Sequence, residues 1–131
     1  MRRPTRPISI AVAVVRHGGQ VLIGQRAPGA ELAGLWEFPG GKVHRGETPA
    51  QAAVRECVEE ASLAIRVDRL ESVVTHRYDY GVVQIRFFAA EPIDPQQKPA
   101  ASFRWVPISE LPRYPFPSAN DAVLQHLKEG G

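Results

Sequence analysis

Cysteine is almost absent from this sequence, since Cys57 is the single cysteine among 131 residues. One thiol excludes an intramolecular disulfide and any zinc site built from several cysteines. Histidine does not supply an alternative zinc site, because the histidines are scattered without the close spacing of metal ligands. They are His17, His44, His76 and His126. Zinc is therefore not implied, and we interpret Cys57 as a small buried hydrophobic residue.

Long apolar segments are also lacking. No run approaches the about 20 apolar residues that a membrane-spanning helix needs, and the N-terminus lacks the continuous apolar core of a signal peptide. We therefore expect a soluble, cytoplasmic protein that does not bind membranes. A chain of 131 residues fits a single domain over residues 1–131, of which residues 1–7 are expected to form a flexible tail.

A large excess of charge is lacking as well, because the formal net charge is only +2. Arg2, Arg3 and Arg6 near the start are typical of a solubilising terminus rather than of a nucleic-acid arm. We expect no stable nucleic-acid binding. The sequence does not distinguish a monomer from a homodimer.

Acidic residues, by contrast, are concentrated between residues 41 and 63. Glu56 lies three residues before Glu59 and four before Glu60, so a helix here would direct three carboxylates to one side. Mg²⁺ takes oxygen ligands and is commonly held by one or two carboxylates together with substrate phosphates. The pattern indicates a magnesium site that serves phosphate chemistry.

A helix over this segment is signalled at its start. Thr48 is a favoured N-cap, Pro49 suits the first helical position, and Gln51 completes a capping box. Apolar residues follow at helical spacing, and they are Ala52, Ala53, Val54, Cys57, Val58 and Ala61. The pattern predicts a helix that starts at Thr48 and has one packed face and one acidic face.

The same segment resembles the signature box of the Nudix hydrolases, which cleave a nucleoside diphosphate linked to another group. Composition alone would produce its six identities roughly once in 10⁷ start positions. These identities are Gly41, Glu47, Arg55, Glu56, Glu59 and Glu60. The resemblance implies an α/β protein with an α/β/α sandwich and a mixed β-sheet, dependence on Mg²⁺ or Mn²⁺, and attack of water on a phosphorus of a pyrophosphate.

The resemblance also assigns roles within the box. The implied metal ligands are Gly40 through its carbonyl, Glu56, Glu59 and Glu60. The catalytic set would consist of these three glutamates and Arg55, which would orient and partly neutralise the carboxylates. Gly41 and Glu47 would support the site, and Glu47 would do so through the loop or through a second metal.

Three features depart from the family pattern, one of which is Cys57, where a larger aliphatic residue is common. Ser62 stands where the family usually has glycine at the end of the helix, and a left-handed serine there costs on the order of 1 kcal/mol. Residues 96–102 contain no acid, although related enzymes have a glutamate in this loop as a metal ligand or general base. The metal count and the general base stay open, and Glu56, Glu59 or Glu60 would then orient the water.

Further matches favour the MutT-like branch, the nucleoside triphosphate pyrophosphohydrolases that include the enzyme acting on 8-oxo-dGTP. Residues 35–42 are similar to the segment entering the box there, which implies that Phe38 lines the base pocket. Arg26 would contact the nucleotide phosphates, because an arginine fork suits phosphate oxygens. Tyr80 either stacks on the base or is a half-buried strand aromatic. Asn120 either reads a purine edge or caps the last helix, where Ser118 is an alternative cap.

Outside the box, β-branched runs and turn residues predict the remaining elements. Strands are expected at residues 8–15, 21–23, 65–67, 70–78, 82–90 and 103–106, loops at 27–35 and 93–101, and a final helix at 118–128. The first two strands should form a hairpin through the glycine turn that follows His17.

The sequence thus predicts a Mg²⁺-dependent hydrolase that cleaves a (deoxy)nucleoside triphosphate, 8-oxo-dGTP foremost, to the monophosphate and pyrophosphate. Other substrates left open are CTP or methylated dCTP, a dinucleoside polyphosphate, an ADP-sugar and a capped RNA end. A different class is a non-catalytic module that senses a nucleotide. Such modules normally accompany a second domain, for which 131 residues leave no room.

Overall fold

A computed structural model describes residues 6–130 of the chain. The strands are β1 (Ile8–His17), β2 (Gln20–Gln25), β3 (Trp36–Glu37), β4 (Gly40–Lys42), β5 (Ile65–Tyr78), β6 (Gly81–Pro92) and β7 (Phe103–Pro107). The α-helices are α1 (Pro49–Ala61) and α2 (Asp121–Lys128), and short 3₁₀ helices cover Ile108–Arg113 and Ser118–Asn120. The flexible tail predicted for residues 1–7 falls mainly on residues 1–5, which lie outside the described part.

The strands form one mixed sheet in the order β3-β2-β1-β6-β5, with β4 also paired to β1 and β7 to β2. β1 and β6 run parallel, whereas the other pairs are antiparallel. β1 and β2 are joined through Gly18 and Gly19, which have φ angles of 57° and 76°. Two successive positive φ values suit a tight hairpin turn, so the predicted hairpin is confirmed.

β1 explains why the sheet is covered on both faces. Successive side chains of a strand alternate in direction. Ala11, Ala13 and Val15 accordingly pack in the cluster that includes α1, whereas Val12 and Val14 pack in the cluster that includes α2. All five are buried, as is typical of a strand enclosed between two layers. The predicted α/β/α sandwich with a mixed sheet is confirmed.

The start of α1 is as predicted. Thr48 Oγ1 accepts a hydrogen bond from the Gln51 backbone N–H at 3.1 Å, and the Thr48 N–H donates to Gln51 Oε1 at 2.8 Å. Both halves of the capping box are therefore formed, and Pro49 is the first helical residue. This cap fixes where the helix begins and hence the direction in which its carboxylates point.

α1 buries its small residues, namely Ala52, Ala53, Cys57 and Ala61. Burial raises the pKa of the Cys57 thiol to about 12. A thiol in that condition stays protonated at neutral pH and is a poor nucleophile. The interpretation of Cys57 as a core residue is thus confirmed.

The end of α1 has the strained residue that the sequence predicted. Ser62 has φ 55° and ψ 35°, a left-handed conformation that glycine adopts more readily than serine.

We expect Ser62→Gly to raise the free energy of unfolding by about 0.5–1 kcal/mol, since relief of strain is partly offset by the greater freedom of glycine in the unfolded chain. Urea unfolding would measure it. Ser62→Ala is the matched control, and equal stability of the two variants would contradict the explanation.

β5 differs from its prediction as two strands, at 65–67 and 70–78. It is one strand with irregular pairing to β6 between Val67 and Arg69 and again between Leu70 and Ser72. Each irregularity leaves one residue unpaired without ending the strand, as a β-bulge does. The second turns Glu71 inward, where both carboxylate oxygens accept hydrogen bonds from Arg16 Nη2 at 2.6 Å.

Three other differences concern short elements. β3 and β4 were not predicted as strands, because segments of two and three residues have too little pattern to be recognised. The final helix was expected from residue 118, whereas Ser118–Asn120 is a 3₁₀ turn and α2 begins at Asp121.

In the part of the chain that is described, none of the helices combines the length and the apolarity needed to cross a membrane.

Candidate active site

The site is built where β4 meets α1. Ala13 N–H donates to the Pro39 carbonyl at 2.9 Å, so the next pair of residues along these strands, Val12 and Gly40, is not mutually hydrogen-bonded. In such a pair the N–H and carbonyl point away from the partner strand. The Gly40 N–H instead donates to Glu60 Oε1 at 2.9 Å. β4 therefore directs the backbone of Gly40 toward α1.

Both glycines of β4 make close contacts. A Cβ atom on Gly41 would lie 2.5 Å from the carboxyl carbon of Glu56, so this carboxylate rests directly against the glycine backbone. A Cβ atom on Gly40 would lie 2.6 Å from the Ala11 carbonyl oxygen and 2.9 Å from the Cα of Val12. A side chain at Gly41 would displace the Glu56 carboxylate, and a side chain at Gly40 would separate β4 from β1.

Arg55 holds the acidic residues together. Its Nε and Nη2 donate to Glu47, the latter at 2.8 Å, and Nη2 also donates to the Lys42 carbonyl at 2.9 Å. Its Nη1 donates to Glu56 Oε1 at 2.8 Å and to Glu59 Oε2 at 2.9 Å. One guanidinium thus joins the loop before α1 to two carboxylates of the helix.

The pKa values of Glu47 and Glu60 are shifted in opposite directions. Hydrogen bonds from Arg55 and from the His44 backbone lower the pKa of Glu47 to about 2, and the glutamates raise the pKa of Arg55 in turn. Glu47 is therefore ionised and bound to the Arg55 guanidinium. It supports the loop and is less available to a second metal.

Glu60, by contrast, has no cationic partner among residues 6–130. Burial raises its pKa to about 7, the Gly40 N–H opposes that rise, and the nearby carboxyls of Glu37 and Glu56 add to it. The carboxyls of Glu56 and Glu60 both lie against β4, that of Glu56 beside Gly41 and that of Glu60 beside Gly40. A bound cation would favour the ionised form of Glu60 and so lower its pKa.

The residues present fit a divalent cation. No three acidic, histidine or cysteine side chains among residues 6–130 form a ready-made metal cage, and Glu59 is held by Arg55 with a largely exposed side chain. Mg²⁺ does not need such a cage, because it keeps several waters and takes one or two carboxylates. Glu56 and Glu60 supply two carboxylates beside the glycine backbone of β4. Glu59 is connected to Glu56 through Arg55, whose Nη1 donates to both.

The predicted substrate-binding residues occupy different surroundings. Phe38 is buried and packs on Phe116 with ring centroids 4.9 Å apart. Tyr80 is 69% exposed at the turn between β5 and β6, where it stacks on Tyr78 with centroids 5.1 Å apart, so it is not a half-buried strand aromatic. Asn120 Nδ2 donates to the Pro117 carbonyl at 3.0 Å, and the Asn120 side chain makes no capping hydrogen bond to α2.

Arg26 contacts Glu37, an acidic residue that the sequence analysis did not identify as part of the site. Its Nη1 donates to Glu37 Oε1 at 3.1 Å. Glu37 raises the pKa of Glu60 through its charge. Burial raises the pKa of Glu37 itself, and the nearby Arg26 guanidinium opposes that rise. Glu37 lies within residues 35–42, the segment that resembles the entry to the box, but only the strand pairing with β2 reveals which way its side chain points.

The loop without an acid, residues 96–102, docks on the end of α1. Gln97 Nε2 donates to the Ser62 carbonyl at 3.2 Å, and the Ala64 N–H donates to Gln97 Oε1 at 3.3 Å. An amide therefore occupies this part of the loop and braces the helix end.

Fold and site together define an α/β protein whose acidic helix faces a glycine strand. The chain belongs to the Nudix family, since residues 11–126 match the model of the NUDIX domain. It is a Nudix hydrolase, as the signature segment predicted.

Known relatives agree with this membership. The 8-oxo-dGTP diphosphatase of Escherichia coli (strain K12) is 32% identical over 126 residues, which cover 94% of this chain and 98% of the relative. The CTP pyrophosphohydrolase of the same strain is 40% identical over 70 residues, or 53% of this chain and 50% of the relative. The solution structure of MutT from methicillin-resistant Staphylococcus aureus 252 has a TM-score of 0.76 at 27% identity, covering 96% and 98% of the two chains. The predicted fold and enzyme class are confirmed.

Proposed function

We propose that this protein is a Mg²⁺-dependent pyrophosphohydrolase that converts a (deoxy)nucleoside triphosphate to the monophosphate and pyrophosphate, with 8-oxo-dGTP as the leading substrate. The observation that supports this chemistry most is the adjacent Glu56–Glu60 carboxyl pair against the backbone of β4. Mn²⁺ is an alternative ion of the same oxygen-seeking class. The activity would serve the free nucleotide pool of the cytoplasm.

Each part of the site has a role in this proposal. Glu56, Glu59, Glu60 and the Gly40 carbonyl would hold the cation, which when bound neutralises phosphate charge and activates water. Arg55 keeps the carboxylates of Glu56 and Glu59 in place. Because residues 96–102 contain no acid, a glutamate of α1 is left to orient the attacking water.

Substrate residues follow from the same arrangement. Arg26 would bind phosphate oxygens, since its guanidinium is bonded to Glu37, whose carboxyl is close enough to Glu60 for their charges to interact. Phe38 and Tyr80 would contact the base, and Asn120, whose amide is not used to cap α2, would read its edge. Relationship over nearly the whole chain to an 8-oxo-dGTP diphosphatase supports an oxidised purine.

A second candidate substrate is CTP. It is favoured by the 40% identity to a CTP pyrophosphohydrolase, although that similarity covers only about half of each chain. The base-contacting residues named above would then be assigned to the wrong base, while the roles of the glutamates and of Arg55 would not change. A nucleotide-sensing module is supported less, because the network of Arg55 with the acidic residues is complete.

The test is turnover of a substrate panel by purified protein with Mg²⁺. The panel contains dGTP, 8-oxo-dGTP, CTP, methylated dCTP, a diadenosine polyphosphate and ADP-ribose, with pyrophosphate and phosphate release measured separately. We expect pyrophosphate from 8-oxo-dGTP and at least about a tenfold loss of kcat in Glu59→Gln. Glu110→Gln is the matched control, because Glu110 pairs with Arg113 in an exposed turn.

Each outcome distinguishes among the proposals. Preference for CTP would keep the chemistry and replace the base assignment. Release of phosphate rather than pyrophosphate would contradict the proposed bond cleavage. Nucleotide binding without turnover of any compound would make the sensing module the better explanation.

A further inference from the structure

The guanidinium of Arg26 is fixed in the structure at two of its nitrogens. Nε donates to the Glu31 carbonyl at 2.7 Å, and Nη1 donates to Glu37 Oε1 at 3.1 Å. No hydrogen-bond partner of Nη2 is found within residues 6–130. The guanidinium is thus anchored on one side and retains a donor for another acceptor.

The residue that anchors it is itself held rigidly. Glu37 pairs with Gly24 across β2 and β3, and Arg26 follows directly after β2. The Arg26 N–H also donates to the Leu35 carbonyl at 2.9 Å, which closes the loop between β2 and β3. Arg26 and Glu37 therefore face each other from the two ends of one closed loop.

Glu37 also lies beside the carboxyl pair. Only Phe38 and Pro39 separate it from Gly40, whose N–H binds Glu60. The half-buried Glu37 carboxyl is close enough to Glu60 for their charges to interact. Its single charge partner among the described residues is Arg26. Glu37 thus binds the guanidinium and also lies close to Glu60 of the proposed cation site.

We infer that Glu37 is a positioning residue, which holds the Arg26 guanidinium so that its free donor faces the phosphate chain of the substrate. The inference rests on the proposed function. Fixing an arginine before the substrate arrives lowers the entropy lost on binding, and a planar fork gains more from this than a flexible ammonium would. Glu37 acts through Arg26 and has no contact with substrate in this assignment.

A purely structural role for the pair is the competing explanation. In that case the Arg26–Glu37 bond would only close the loop of residues 27–35, and its loss would lower thermal stability without changing phosphate binding. The two roles are separated by a double-mutant cycle of Arg26→Ala and Glu37→Ala. The readouts are KM and kcat for the nucleoside triphosphate that is turned over, the Kd for inorganic tripolyphosphate with Mg²⁺, and Tm.

We expect Glu37→Ala to weaken tripolyphosphate binding and raise KM by about tenfold, as loss of a charge-assisted hydrogen bond would do, with a smaller change in kcat. In the Arg26→Ala background the same change should have less than about a twofold effect. Glu37→Gln keeps an acceptor at the same reach and should recover most of the loss. Glu110→Ala, which breaks the exposed pair with Arg113, is the control and should leave all readouts unchanged.

Additive effects of the two substitutions on Kd would overturn the inference, as would a lowered Tm with unchanged Kd. Wild-type protein that fails to bind tripolyphosphate would overturn it too. If wild-type protein binds tripolyphosphate but hydrolyses no triphosphate, the proposed function fails while the cycle in Kd still tests the role of Glu37.

Discussion

Replacing Glu56 by glutamine should lower kcat by about 10³-fold while leaving the fold intact. The substitution keeps the shape of a side chain that rests against Gly41, so no clash or cavity is created. It removes the charge that Arg55 Nη1 binds at 2.8 Å and that would bind the cation together with Glu60. Loss of a metal-binding carboxylate removes several kcal/mol of transition-state stabilisation, which corresponds to this factor.

The measurement is kcat at saturating nucleotide over a Mg²⁺ titration, with Tm recorded for each protein. Glu91→Gln is the matched control, because Glu91 pairs with Arg66 on the exposed part of β6 and should keep full activity. A Glu56→Gln enzyme within threefold of wild type would exclude Glu56 from the reaction. A loss that excess Mg²⁺ fully restores would limit its role to metal affinity.

The fold was predictable where local chemistry decides it. Thr48, Pro49 and Gln51 fix the start of α1 because their contacts reach only three residues along the chain, and the structure has the cap as predicted. The continuous burial of β1 follows from a run of small and β-branched residues, which suits a strand covered on both faces. Such signals are contained within one segment of sequence.

Long-range pairing was not predictable in the same way. β4 is a strand because Gly41 lies opposite Ala11, some thirty residues earlier in the chain, and no periodicity in three residues indicates that. The bulges in β5 depend on the register with β6, so the sequence suggested a break between two strands where the structure has one. Register is a property of two segments together.

The site residues likewise fall into those that local sequence spacing identifies and those that it does not. Arg55 and the glutamates of α1 were identified because they share one helix, and helical spacing brings them together. Glu37 was missed because its proximity to Arg26 and Glu60 requires β2, β3, β4 and α1 to be assembled. The contact between Arg26 and an acid could not be read from either residue alone.

Removing the guanidinium of Arg55 is expected to have the second largest effect. Arg55→Ala leaves the carboxylates of Glu47, Glu56 and Glu59 without the cation that joins them, and like charges then repel. We expect kcat to fall by about 10²-fold, since partners that hold metal-binding residues typically contribute 10- to 100-fold. Arg55→Lys should recover little activity, because one ammonium cannot make the fork contacts to Glu47 and Glu56 together.

The same variant has a distinct dependence of stability on pH. Arg55, together with the His44 backbone N–H, lowers the pKa of Glu47 from 4.5 to about 2, so in the wild type this ionised carboxylate stabilises the folded state above about pH 4.5. That contribution is lost as pH falls through the folded-state pKa. In Arg55→Ala the pKa of Glu47 rises toward its ordinary value, so the part of this contribution that Arg55 causes is absent at every pH, while the His44 N–H still binds Glu47. The Tm difference between wild type and variant should therefore be largest above pH 4.5 and shrink toward pH 2, and a difference independent of pH would mean that Arg55 stabilises the protein by packing rather than through its charge.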